Sequence, residues 1–202
     1  MTEAMAPLTL TDLIPRSSDR RTRLLQDAGL VAGFAVFTAL LAQISIHLSF
    51  TPVPVTGQTL GVLLAGAALG TGKGAMSMLV YWMAGWVGLP FYADHKGGWH
   101  NATGATMGYF VGFIAAAAVV GYLAERRQDR TFATSIPAML AGTAIIYVFG
   151  AGWLALDLNI PLSTGTPNAI ALGVTPFLIG DSLKLLVAGA ITPVVWKSIQ
   201  KR

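Results

Sequence analysis

The sequence predicts an all-α integral membrane protein of six transmembrane helices with both termini cytoplasmic. Three observations carry this. Of 202 residues, 54% are hydrophobic and 11% are charged, whereas a soluble domain carries about 25% charged residues. The apolar residues fall into six runs separated by polar or Pro-containing turns. Eleven of the 13 Lys and Arg residues lie on the side that holds both ends of a six-span chain: Arg16, Arg20, Arg21, Arg23, Lys73, Arg126, Arg127, Arg130, Lys197, Lys201 and Arg202. Lys96 lies opposite and Lys184 within a span. Such an excess marks the cytoplasmic face. The net charge of +4 therefore encodes orientation and gives no reason to expect nucleic acid as a partner. Cysteine is absent, which excludes disulfides and thiolate metal sites.

Residues 1–28 read as a polar cytoplasmic tail, 29–198 as the six-helix domain and 199–202 as a cytoplasmic end, with no cleavable signal peptide expected. Segment one spans Gly29 to about Leu48. Ala28, Ala32, Ala35, Ala39 and Ala42 recur along it at spacings of three and four, a smooth stripe suited to close helix contact, within the chain or with a partner. Pro52 and Pro54 force extended backbone in the turn that follows. Segment two, Gly57–Gly70, is short for a span, as segments beside transporter binding sites often are. Thr71–Gly74 reads as a tight turn; its Gly-Lys pair lacks the remaining residues of a phosphate-binding loop, so ATP binding is rejected. Segments three, four and five cover 75–89, 104–124 and about 135–156. Gly104, Gly108 and Gly112 give segment four a small-residue face. Segment six starts at Pro176, with Thr175 as a good N-cap.

Segment six holds the chemistry. Asp181 and Lys184 are three residues apart and share a face that Phe177 and Ala188 extend. A charge near the centre of a span costs about 2.5–3.5 kcal/mol, which makes both residues functional candidates; a purely structural ion pair is the alternative. The topology turns loops 49–56, 90–103 and 157–174 outward. They gather Gln58, Lys96, Trp99 and Asn101 above the outer third of segment six. One carboxylate, two ammonium groups, amides and aromatics suit a small ligand with polar N–H groups at one end and an anionic group at the other. Lys96 also fits a solvated loop charge, and Trp82, Trp86 and Trp99 fit an interfacial belt. Catalytic motifs such as HExxH and GxSxG are missing. His47, His95 and His100 lack a carboxylate set to complete a metal site. Neither enzymatic activity nor a metal or cofactor is expected.

Four motifs then carry a resemblance. Pro52-Val53-Pro54-Val55-Thr56-Gly57-Gln58-Thr59-Leu60-Gly61 with Leu64-Ala65-Gly66 comes first. Gly88-Leu89-Pro90-Phe91 with Lys96-Gly97-Gly98 is second. Gly104-Ala105-Thr106-Met107-Gly108-Tyr109-Phe110-Val111-Gly112-Phe113 is third, and Pro176-Phe177, Gly180-Asp181 and Lys184 are fourth. In this order they resemble the biotin transporter S components, the BioY family, over roughly Ala35 to Ala188. The resemblance implies a six-helix, biotin-binding, multi-pass subunit of an energy-coupling-factor (ECF) transporter in the bacterial cell (inner) membrane. A transmembrane coupling subunit and ABC-type ATPase subunits would be its partners. It implies that Asp181, Lys184, Lys96 and Gln58 are pocket residues, with Asn101 and Tyr109 beside them, and that Ala35 and Ala39 contact the coupling subunit. The sequence departs from the family pattern at Ala105 and Met107, which replace Pro and Gly. Lys96 stands where Arg is common, giving a point charge in place of a bidentate fork. An S component for another vitamin, such as thiamin or riboflavin, and a self-sufficient carrier with Asp181 as proton site are the competing readings.

Overall fold

A computed structural model describes residues 9–200. The elements are α1 (Arg20–Ala42), β1 (Ser45–Ile46), β2 (Val55–Thr56), α2 (Gln58–Trp86), α3 (Trp99–Thr103), α4 (Met107–Glu125), α5 (Phe132–Asp157), α6 (Ala169–Gly173) and α7 (Leu178–Gln200). The expected six spans are present although only five helices are long. α2 is the reason: at Gly70 the backbone adopts φ 81° and ψ −177°, and the helix folds back on itself. Gln58 Nε2 donates to the Tyr81 hydroxyl at 2.5 Å, a pair that a straight helix would hold roughly 35 Å apart. Only Gly adopts such a conformation without strain. A Cβ on the facing Gly121 would collide with the backbone of Gly70 and Thr71. The Glu125 carboxylate accepts from Thr71 N at 2.8 Å and Thr71 Oγ1 at 2.9 Å, capping the N-terminus of the second arm. The reversal thus occupies one residue. Thr71–Gly74, expected as the turn, is the first turn of the returning arm.

Two other boundaries differ from expectation for local reasons. α1 starts at Arg20, nine residues before the apolar run, because Asp19 caps it by accepting from Thr22 N at 2.8 Å. At the other end, Thr175–Phe177 forms a single 3-10 turn and α7 proper begins at Leu178.

Both arms of α2 pack with α4 and α5 at the centre, α1 rests chiefly on α2, and α7 lies against α5 and α2. An aromatic cluster fills the upper core: Phe110 stacks on Tyr92 with ring centroids 4.6 Å apart, and Tyr81 meets both. Val31, Ala35, Thr38, Ala39 and Ala42 are the buried face of α1. Ser77 of α2 donates to the Val31 carbonyl at 2.8 Å. Here the structure corrects the sequence reading. Ala35 and Ala39, expected at a partner contact, are 1% and 6% exposed and belong to the core. The alanine stripe does keep to one face, but α2 covers only its C-terminal part. Ala28, Gly29, Ala32 and Gly33 are exposed, and a Cβ on either glycine would touch nothing.

The two ends of the bundle differ. At one end lie the Gly70 turn, Lys73 paired with Asp27 at 3.2 Å, and the α4–α5 loop, where Asp129 accepts from Trp196 Nε1 at 2.6 Å. The beginning of α1 and the end of α7 both sit here. At the other end, β1 and β2 pair antiparallel, Ser45 opposite Thr56 and Ile46 opposite Val55. The loop between them crosses to α6, where Thr51 Oγ1 donates to the Leu172 carbonyl at 2.7 Å.

Candidate ligand-binding site

The β-hairpin loop, the 90–98 loop and the ends of α2, α4, α5 and α7 enclose a cavity of about 280 Å³ at this second end. Its walls are mainly apolar and aromatic: Val53, Tyr92, Phe110, Phe113, Ile146 and Phe177 all line it. Val53 is 6% exposed, so the loop presses a side chain into the core and roofs the space. All six residues expected to bind a ligand, Gln58, Lys96, Asn101, Tyr109, Asp181 and Lys184, line this one cavity.

The inner end is built around Asp181. Its Oδ1 accepts from Lys184 Nζ at 2.8 Å and from Thr59 Oγ1 at 2.9 Å; its Oδ2 accepts from the Tyr147 hydroxyl at 2.6 Å. Lys184 also donates to the Thr56 carbonyl. Asp181 and Lys184 side chains are only 6% and 17% exposed, yet each is neutralised by the other and held by further bonds, which is what burying charge requires. Gln58 is equally tied: Thr56 Oγ1 donates to its Oε1 at 2.6 Å, while its amide donates to Tyr81. Tyr109 spends its hydroxyl on the Gly173 carbonyl at 2.6 Å, fixing α6 over the cavity and leaving its ring as wall.

The mouth carries different charges. Lys96 Nζ lies 3.2 Å from Asp94 Oδ2, and His47 Nε2 lies 3.0 Å from the same oxygen. Partial burial raises the Asp94 carboxyl, but the Lys96 hydrogen bond and the neighbouring His47 outweigh it and hold it below the usual range. The turn is sharp: Asp94 and His95 have φ 59° and 56°, in the left-handed region that non-glycine residues seldom enter. Gln43, at the end of α1, clamps it by donating to the Tyr92 carbonyl at 3.1 Å and accepting from His95 N at 2.9 Å. Asn101 donates to the Gly97 carbonyl at 2.7 Å, steadying the same loop. The cavity therefore runs from a neutralised, hydrogen-bonding inner end, past aromatic walls, to a cation at an accessible mouth. Trp82, Trp86 and Trp99 stay outside it; Trp86 and Trp99 pack on each other with centroids 5.0 Å apart.

The site contains residues that sequence reasoning missed. Tyr147 lay unmarked in segment five, although a phenol in the middle of a span is itself a polar signal. Thr59 stood next to Gln58 inside a motif. His47 and Asp94 were legible as ionisable loop residues, but their meeting depends on the fold.

The family model described as the BioY family matches residues 11–201. The chain belongs to the BioY family. Among curated BioY relatives, one from Rhizobium etli named biotin transporter BioY is 34% identical, covering 84% of this chain and 91% of that protein. One of the same name from Thermotoga maritima is 38% identical, covering 77% and 89%. A crystal structure described as the S-component for biotin from an ECF-type ABC transporter aligns with a TM-score of 0.76. That likeness is 25% in identity and covers 90% of this chain and 95% of that one. Within the BioY fold, this chain carries Lys96 at the mouth, and Asp94 already occupies it.

Proposed function

We propose that this chain is the biotin-binding membrane subunit of an energy-coupling-factor transporter, a non-enzymatic receptor that a transmembrane coupling subunit and ABC-type ATPases energise. The observation that carries this reading is the Asp181–Lys184 pair at the inner end of a cavity whose mouth carries a second ammonium group, Lys96. The ureido ring of biotin has two N–H donors and a carbonyl; Asp181 accepts from one N–H and Lys184 donates to the carbonyl. Phe110, Phe113 and Phe177 enclose the fused rings and thioether. The valerate carboxylate reaches outward to Lys96. Because Lys184 already neutralises Asp181, the inner end favours a neutral head group over a cationic one such as thiamin.

The end of the bundle that holds Arg20, Lys73, Arg126 and Lys197 faces the cytoplasm, so the cavity opens outward. The exposed arc Ala28, Gly29, Ala32 and Gly33 of α1 receives the coupling subunit, taking over the role expected of Ala35 and Ala39. Titration of the purified protein with radiolabelled biotin tests the reading. Saturable binding that unlabelled thiamin and riboflavin fail to displace is expected. Displacement by either vitamin, or pH-driven uptake without coupling partners, overturns it.

A further inference from the structure

Asp181 takes three hydrogen bonds from three different helices: Thr59 on α2, Tyr147 on α5 and Lys184 on α7. A carboxylate has about four acceptor positions. Oδ1 is filled by Thr59 and Lys184, and Oδ2 is half-filled by Tyr147. Lys184 has three N–H donors, of which one goes to Asp181 and one to the Thr56 carbonyl. What the pair offers the cavity is thus one acceptor on Oδ2 beside one ammonium donor.

We infer that Tyr147 and Thr59 are positioning residues: they fix the rotation of the Asp181 carboxylate and reduce it to a single open acceptor, so that the site reads one N–H of its ligand. This rests on the biotin reading above. The physical reason is the freedom of a carboxylate about its last bond. With only Lys184 attached, the group turns about that bond and presents either oxygen. Tyr147 on one oxygen and Thr59 on the other pin both. Asp181 is 5% exposed, so little of the carboxylate is open to water that could replace these bonds. Of the two ureido N–H groups of biotin, one meets Asp181 and the other must find its acceptor elsewhere in the cavity. Neither positioning residue needs to touch the ligand to set affinity.

The test measures biotin affinity and unliganded melting of detergent-purified protein. Tyr147→Phe weakens biotin about tenfold, the range expected when one hydrogen bond to a charged group is lost. In a background of Asp181→Ala with Lys184→Met, the same change moves affinity less than about twofold, because the group it positions is gone. Thr59→Val weakens binding, and Thr59→Ser, which keeps the hydroxyl, restores it relative to Val. This pair decides where the double background binds too weakly to titrate or Tyr147→Phe is not monodisperse. Equal losses from Tyr147→Phe in both backgrounds make Tyr147 a direct contact or a packing residue and overturn the inference. So does equal binding by Thr59→Ser and Thr59→Val. These failures leave biotin binding by the unmodified protein intact, whereas failure of the functional reading appears as no biotin binding by that protein at all.

Discussion

Asp94 Oδ2 stands 3.2 Å from the Lys96 ammonium, so the cation at the cavity mouth holds a carboxylate of its own chain. A ligand carboxylate that reaches Lys96 must share it with Asp94 or displace it. The pair is half-exposed, and exposed pairs contribute at most about 1 kcal/mol. The competition is therefore weak enough for a ligand to win.

Asp94→Asn is expected to tighten biotin binding by about fivefold or less, the factor that 1 kcal/mol allows. Biotin amide, which has no carboxylate, gains nothing. Calorimetric titration of both ligands checks this. A fall in biotin affinity with amide affinity unchanged assigns Asp94 to the site as a partner and not a competitor.

The two lysines should separate by ligand end. Lys96→Met weakens biotin on the order of tenfold, as for a lost charged hydrogen bond, and leaves the amide unaffected. Lys184→Met weakens both ligands alike. It also lowers the melting temperature, because an unpaired buried Asp181 costs about 3–5 kcal/mol. If Lys184→Met discriminates biotin from its amide while Lys96→Met does not, the ligand lies reversed in the cavity.

The sequence made the spans and the polar face of segment six legible, for physical reasons that apply to single elements. Twenty apolar residues declare a span, and Asp181 with Lys184 declares a shared face. Relations between elements were less legible. The reversal in α2 needs one residue in a glycine-only conformation, and neighbouring Gly72 and Gly74 look equally suitable. The alanine stripe of α1 was read correctly as one face, but periodicity does not say where along its length α2 stops covering it. Tyr147 and Thr59 matter through Asp181, and which side chains surround a carboxylate is decided by packing of helices far apart in sequence. Gln58 was singled out for an amide it could offer a ligand, yet that amide ties the two arms of α2 together.

Orientation has a direct readout, because the chain contains no cysteine. Thr164 lies in the exposed loop before α6 and Ser18 in the exposed stretch before α1. In intact cells, Thr164→Cys is expected to react with an impermeant thiol reagent and Ser18→Cys only after permeabilisation. The opposite pattern would put the cavity on the cytoplasmic side and end the uptake reading.

The proposed partner contact falls on the exposed N-terminal part of α1. Ala28 and Ala32 are exposed, and beside them Gly29, Gly33, Phe34, Phe37, Leu64 and Ile191 line an apolar crevice of about 420 Å³. Small residues let a second helix approach closely. Ala28→Trp with Ala32→Trp adds bulk at two exposed positions, so folding and biotin binding should survive while assembly with the coupling subunit and uptake are lost. Ala35 is different, because α2 lies against it. Ala35→Trp overpacks the core, a change that costs about 1–3 kcal/mol or more, and should depress melting, binding and uptake together. Co-purification with the coupling subunit, biotin titration and uptake on the same variants separate the two classes. Normal assembly by the Ala28→Trp, Ala32→Trp protein would remove this arc as the docking face. The crevice would then be a lipid-facing seam between α1 and α7.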